Sequence, residues 1–250
     1  MEGRRVYVFG DGLGIARDGA LAERAAVAEE RLIPIGDEVL HELAVAFGIA
    51  GIAGWLSVTQ RGRVGPGDRV LVLGATGAVG LVAVQAARLA GAERVVAAGR
   101  RPERLARTRE LGADATVQLT DDFAAAAKEA CGGEGATVIV DLLWGPPLQT
   151  ALEAAAPGAR VVHIGQSAAP EATLASAAVR GKQLDILGFS NFGLAMGRAP
   201  PGLPGAARAR DGRPRSAPGR DLHARPGRRR LGAAGRRSRR QDRRQDRLAG

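Results

Sequence analysis

The segment Val70-Leu71-Val72-Leu73-Gly74-Ala75-Thr76-Gly77-Ala78-Val79-Gly80 constrains this chain more than any other. An apolar, valine-rich run stops at a glycine-rich turn, and an alanine-rich helical pattern follows from Leu81 to Ala90. Glycines at such a turn let the backbone bend tightly and approach a pyrophosphate, while the next helix offers its unpaired N–H groups to the phosphates. The spacing is A-x-G-x-x-G on Ala75, Gly77 and Gly80, with Gly74 just ahead. The strand-turn-helix context favours a dinucleotide-binding unit over a plain tight turn. It selects Gly74, Ala75, Thr76, Gly77, Ala78, Val79 and Gly80 as candidate cofactor-binding residues.

From Arg69 onward strand and helix patterns alternate. Strands are expected at Arg69–Leu73, Arg94–Ala98, Ala115–Leu119, Thr137–Leu142, Arg160–Ile164 and Gln183–Leu187, with helices at 79–90, 102–111, 121–131, 147–156 and 171–180. Short, valine-rich strands belong to a parallel sheet covered on both faces. Six of them with crossover helices make an α/β fold, a doubly wound parallel six-stranded sheet whose ligand lies at the carboxyl ends of the strands. Upstream, Arg5–Phe9 reads as a strand and Ala20–Ile35 as one or two more. Asp37 to Arg61 reads as two helical pieces broken near Gly48; Gly48, Gly51 and Gly54, every third residue, suit close helix packing as well as a cofactor contact.

About twenty residues past the glycine loop, an NAD site places Asp or Glu against the adenosine ribose. Here the strand end reads Ala97-Ala98-Gly99-Arg100-Arg101-Pro102-Glu103-Arg104, with arginines where that carboxylate would stand. A guanidinium pairs bidentately with phosphate and gains little from a hydroxyl. Hydrogen bonds to charged groups contribute roughly 1.5–3 kcal/mol, so one or two would favour NADPH over NADH by about tenfold or more. Arg100, Arg101 and Arg104 are therefore the candidate readers of a 2′-phosphate; otherwise they are a solvated helix start.

Other chemistry is thinly represented. The single Cys131 leaves no disulfide framework and no cysteine zinc site, and reads as a packing residue. His41 and His163 lie in a helical and a buried-strand pattern, form no metal pattern, and read as structural; no metal site is expected. Asp141, ending the fourth strand, reads as a capping or structural carboxylate, and Trp55 and Trp144 as packing residues, with Trp144 placed to come near the cofactor. There is no G-x-S-x-G elbow and no G-K-[ST] phosphate loop, which argues against hydrolase and P-loop chemistry. No apolar leader opens the chain, and the longest apolar stretch, Leu43 to Leu56, is too short and glycine-rich to span a bilayer; a cytoplasmic protein without membrane contact is expected.

Three linked motifs carry a family resemblance: Val64-Gly65-Pro66-Gly67-Asp68-Arg69-Val70, Leu73-Gly74-Ala75-Thr76-Gly77-Ala78-Val79-Gly80 and Glu110-Leu111-Gly112-Ala113-Asp114. Over about residues 4–193 the chain resembles the medium-chain dehydrogenase/reductase superfamily, and within it the zinc-free, NADPH-dependent quinone oxidoreductases and related enoyl-type reductases. The resemblance implies a Rossmann nucleotide domain, at 63–193, beside a GroES-like β domain, of which 1–62 would be a remnant with its connecting helices. It implies Gly77 to Gly80 on the pyrophosphate, Arg100 and Arg104 on the 2′-phosphate, and Gly165, Asn191 and Phe192 close to the nicotinamide. It also implies hydride transfer to a quinone or enone in the interdomain cleft, and a homodimer. The catalytic proton donor stays unassigned. Set against the resemblance there are three departures: the family usually carries about sixty more residues ahead of the part matched here, Ala53 stands where the family often has Thr, and the C-terminal return to the catalytic domain is unrecognisable.

The charge is divided unevenly. Residues 1–195 carry 19 basic and 22 acidic side chains, whereas 196–250 carry 17 arginines and 4 aspartates. From about Leu194 hydrophobic periodicity gives way to Arg, Gly, Pro and Ala, the composition of a disordered basic tail over 194–250. Such a tail could neutralise nucleic-acid phosphates, but it lacks aromatics to stack on bases. The same composition arises when GC-rich DNA is translated out of frame. Shifting 231–247 by one base can restore a Trp-Glu-Arg-Gln helix start and a Lys-Ile-Val-Val strand resembling the family's C-terminus, and that reading is preferred. The alternatives to an enzyme are an NADPH-binding module without turnover and, last, nucleic-acid binding through the tail.

Overall fold

In the computed structural model, residues 2–10, 12–14 and 16–193 are described, and all belong to one unit of the chain. The expectations for 194–250 lie outside the described residues.

The sheet is built from β3 (Arg69–Leu73), β4 (Arg94–Gly99), β5 (Ala115–Gln118), β6 (Ala136–Asp141), β7 (Ala155–His163) and β8 (Asp185–Gly188), ordered β5-β4-β3-β6-β7-β8 and parallel throughout. The order reverses between β3 and β6, which opens a crevice at their carboxyl ends. Valine-rich strands serve here because both faces are covered. On one face Val70, Val72, Val95, Ala97, Val138 and Val140 pack against α3 (Ala78–Leu89) and Leu105 of α4 (Pro102–Glu110). On the other, Leu71, Leu73, Val96, Ile139 and Val161 meet α5 (Ala124–Ala130) and α6 (Pro146–Glu153). Strand alternation divides the two sets, because successive side chains point to opposite faces.

Several expected boundaries move; α5 starts three residues late, at Ala124, and β8 two residues late, at Asp185. The fifth strand starts at Ala155 and not at Arg160, with a register shift against β6 between Ala136 and Val138. Pro157 bars helix at Ala156, since the residue before a proline is pushed out of the helical region, and α6 ends before it, at Glu153. The last helix, α7 (Ser176–Gly181), begins five residues later than the pattern over 171–180 suggested.

Ahead of the sheet, β1 (Val6–Val8) pairs antiparallel with β2 (Leu32–Pro34), the single strand within the 20–35 stretch, where one or two were expected. Arg5 fastens this ribbon to the next segment, donating to the carbonyls of Gly36 (3.1 Å) and Asp37 (2.8 Å) and to that of Val39 at 2.5 Å. A helical run follows from His41 to Arg61, made of α1 (His41–Ala46), a wide turn at 47–51, α2 (Ile52–Leu56) and a second wide turn at 57–61. It breaks at Gly48, where ψ is −116°, as the sequence suggested. The run is 21 residues long and its most apolar window has mean hydropathy 1.5, which by length and composition alone would pass for a membrane span. Its second half is packed within the fold. Leu56, Ser57 and Val58 are fully buried, and a Cβ on Gly54 would lie 2.6 Å from the Val79 carbonyl of α3. Gly54 is thus a packing glycine.

Candidate nucleotide site at the carboxyl edge

The turn after β3 is set by three glycines with different physical tasks. Gly74 has φ +75°, a conformation other residues rarely adopt. A Cβ on Gly80 would lie 2.4 Å from the Gly74 carbonyl and 2.6 Å from the Ala75 Cα, so Gly80 is required by the close approach of loop and helix. Gly77 is different: its φ is −84°, and an added Cβ would meet only the Gly74 carbonyl oxygen at 3.5 Å, an ordinary contact. Nothing inside the protein requires glycine there. Gly77 and Ala78 are exposed, and Gly77 caps α3 without a side-chain hydrogen bond. The first helical bond is Leu81 N–H to Gly77, so the N–H groups of Ala78, Val79 and Gly80 have no acceptor among the described residues. An exposed helix start with three free donors and no side chain in the way has the form of an anion site.

The loop is tied to its neighbours. Ala75 N–H donates to the Ala98 carbonyl at 3.0 Å, fixing the loop to the end of β4. Gly99 ends β4 in a tight place, where a Cβ would lie 3.0 Å from the Thr76 Cγ2 and 3.1 Å from Leu105. Arg100, Arg101 and Arg104 follow, all exposed, and none of their guanidinium groups has a hydrogen bond or ion pair among the described residues. Other arginines on this fold are engaged: Arg88 pairs with Asp114, and Arg160 with Asp68.

Across the crevice, the turns after β6 and β7 form one unit around Asp141, which is fully buried. Its Oδ1 accepts from the N–H groups of Leu143 (2.9 Å) and Trp144 (3.0 Å), and its Oδ2 lies 3.0 Å from the His163 Nδ1. Burial pushes the Asp141 carboxyl up, with these three hydrogen bonds and the His163 charge pulling partly back. Trp144 sits at φ +59° and lays its indole on the His163 imidazole, with ring centroids 4.0 Å apart. Leu142 and Leu143 press on the glycine loop, since a Cβ on Gly74 would be 3.0 Å from the Leu143 Cδ2. Gly165 lies against the other side of this turn, where a Cβ would be 3.0 Å from the Leu142 carbonyl. Asp141, His163 and Trp144 thus hold one another and the turn after β6, a mutual pairing that was not foreseen. The usable signal was that Asp141 and His163 end neighbouring strands; they are register partners.

Asn191 and Phe192 follow β8. Asn191 is 6% exposed, and its Nδ2 donates to the Ile49 carbonyl at 3.1 Å, while Phe192 is 59% exposed. His41 Nε2 faces the Arg5 Nε at 3.4 Å, away from these groups. Cys131 is buried beneath the sheet, its thiol pushed up to about 11 by desolvation. Among the described residues, no three His, Cys, Asp or Glu side chains are grouped to hold a metal.

The doubly wound sheet and its glycine loop have the form of the dinucleotide-binding domain of dehydrogenases. The profile described as zinc-binding dehydrogenase matches residues 78–199. A quinone oxidoreductase of Thermus thermophilus, whose structure includes an NADPH complex, is 33% identical with a TM-score of 0.63, over 76% of this chain and 58% of that one. An NAD-dependent alcohol dehydrogenase is 34% identical with a TM-score of 0.64, over 70% and 51%. A phenolphthiocerol/phthiocerol polyketide synthase polypeptide from Mycobacterium tuberculosis is 33% identical over 165 residues, 66% of this chain and 7% of that protein. The chain belongs to the medium-chain dehydrogenase/reductase superfamily, in its quinone oxidoreductase-like branch. It spans between half and three fifths of these solved relatives and a small part of the synthase.

Proposed function

We propose that the chain is an NADPH-dependent oxidoreductase that passes hydride to a quinone or conjugated carbonyl without zinc. The observation that carries this reading is the turn at Gly77. It is a glycine with no internal reason to be one, at an exposed helix start with three unpaired N–H groups. A pyrophosphate on the N–H groups of Ala78, Val79 and Gly80 gives that arrangement a purpose. With the pyrophosphate there, the adenosine half runs toward Gly99, and a 2′-phosphate comes within reach of Arg100, Arg101 and Arg104. The nicotinamide half runs the other way, toward Gly165 and the Asn191–Phe192 segment. When bound, the nucleotide supplies the hydride. This chain's residues orient it and shape the crevice in which substrate meets it.

The relatives include both an NADPH complex and an NAD-dependent enzyme, so the preference is argued from the arginines. The test is a titration of the full chain with NADPH and with NADH, followed by tryptophan fluorescence. Arg100→Ala is expected to weaken NADPH binding about tenfold, in line with loss of a charge-assisted hydrogen bond, and to leave NADH nearly unchanged. Equal losses for both nucleotides remove Arg100 from the site. Absence of saturable binding by the unmodified chain defeats the reading as a whole.

A further inference from the structure

The helical run from His41 makes room for one particular side chain where it breaks. A Cβ on Gly48 would lie 2.1 Å from the Tyr7 Oη and 2.6 Å from its Cζ, so the phenol occupies the space a side chain would need. Tyr7 is the central residue of β1 and is half-buried. Its oxygen is hydrogen-bonded to the Ile49 backbone, and the Ile49 carbonyl accepts the Asn191 Nδ2. Two polar side chains from opposite ends of the described chain therefore meet on one residue. Around them Phe47, Ile49 and Phe192 are each about half exposed (54%, 48% and 59%). A few convergent polar groups among open apolar walls is the usual composition of a small-molecule site.

The position suits a substrate. Gly54, six residues further along the same run, touches the first turn of α3 through the Val79 carbonyl. At about 1.5 Å per residue, Gly48 lies on the order of 9 Å from that contact, a span that the nicotinamide riboside half of a dinucleotide covers. Asn191 follows β8 at the carboxyl edge, the edge that carries the glycine loop.

We propose that Tyr7 holds the carbonyl oxygen of a conjugated enone or quinone at this place and donates the proton of the reduction, while Asn191 fixes the Ile49 segment behind it. The inference rests on the oxidoreductase reading above. A phenol whose oxygen accepts a backbone N–H keeps its own O–H free to donate. Burial pushes the Tyr7 phenol up, so it stays protonated at neutral pH, with the Ile49 hydrogen bond pulling slightly back. For an enone, the β-carbon gains a hydride from a reduced nicotinamide, and the carbonyl oxygen gains the phenolic proton. The C=C π electrons shift to give an enol, which becomes the ketone in water, and solvent returns a proton to the phenolate.

Tyr7 is the only tyrosine in the chain, which makes a specific test available. Full-length protein labelled with 13C at the tyrosine Cζ gives one resonance from Tyr7. Duroquinone, added with NADP+ present so that no turnover occurs, is expected to shift it. In turnover assays with NADPH, Tyr7→Phe is expected to lower kcat/KM for duroquinone about 100-fold, the lower range for loss of a general acid, with the Kd for NADPH unchanged. An unmoved resonance, unchanged turnover in Tyr7→Phe, or an equal loss of NADPH binding in that variant overturns the inference and leaves the oxidoreductase reading standing. An unmodified chain that fails to bind NADPH overturns both.

Discussion

The sheet and the segment ahead of it solve opposite problems. In β3, β4 and β6 nearly every side chain is sealed between helices, and the sequence there is almost wholly aliphatic. Between Leu40 and Ile49 the sequence is just as apolar, yet Leu40, Leu43, Val45, Phe47 and Ile49 are all exposed. Composition alone does not separate these regions; their coverage does. The first buries its apolar surface within itself and supplies the rigid frame. The second presents apolar surface outward, next to the crevice, where a ligand or another protein surface can meet it.

Substitutions can break that comparison. The largest effect is expected at Leu71, fully buried between β4 and β6: Leu71→Ala should cost about 2–5 kcal/mol, measured by urea unfolding, whereas Leu43→Ala should stay within about 0.5 kcal/mol. A comparable loss at Leu43 means that Leu43 is covered in solution and the contrast is false. Next come the two glycines of the loop. Gly80→Ala forces a Cβ into backbone and should destabilise by about 1–3 kcal/mol. Gly77→Ala should leave the unfolding midpoint unchanged and weaken NADPH binding by about tenfold, because its Cβ would project into the proposed pyrophosphate site. If Gly77→Ala instead unfolds the protein, the glycine has a structural task after all.

The smallest effect concerns pH. The Asp141 carboxyl is raised above its ordinary value, so the native state holds that proton more tightly than the unfolded chain does. Its contribution is fully present below the ordinary carboxylate pKa and is lost as pH rises through the native value. Asp141→Asn keeps an acceptor for Leu143 and Trp144 and removes the titration. Stability measured from pH 4 upward should therefore decline less with rising pH in the variant. An unaltered pH profile shows that Asp141 does not titrate in this window.

Much of this was legible in the sequence, for local reasons. The first three strands of the sheet were placed to within one residue because valine-rich runs stop at Gly74, at Gly99-Arg100 and near Thr120. The break at Gly48 was legible too, since a glycine interrupts an otherwise helical pattern. What escaped depends on pairing across distance. The early start of β7 rests on register with β6, which local periodicity does not encode. The Asp141–His163 pair and the Tyr7–Gly48 contact join residues that only the folded topology makes neighbours. The arginines after β4 and the glycine loop were legible as candidates; where their nucleotide lies remains a proposal.

Opposite the crevice, at the amino ends of the strands, Asp68 accepts from the Thr137 Oγ1 (2.8 Å) and from Gly65 N–H (3.0 Å), and pairs with Arg160. Arg160 also donates to the Gly62 carbonyl at 2.7 Å. This clasp joins the lead into β3 to β6 and β7, so the central strands are aligned by contacts at the end remote from the crevice. The side chains of Arg100, Arg101 and Arg104 take no part in that alignment. Exchanging them changes the charge beside the crevice while the strands beneath keep the same neighbours.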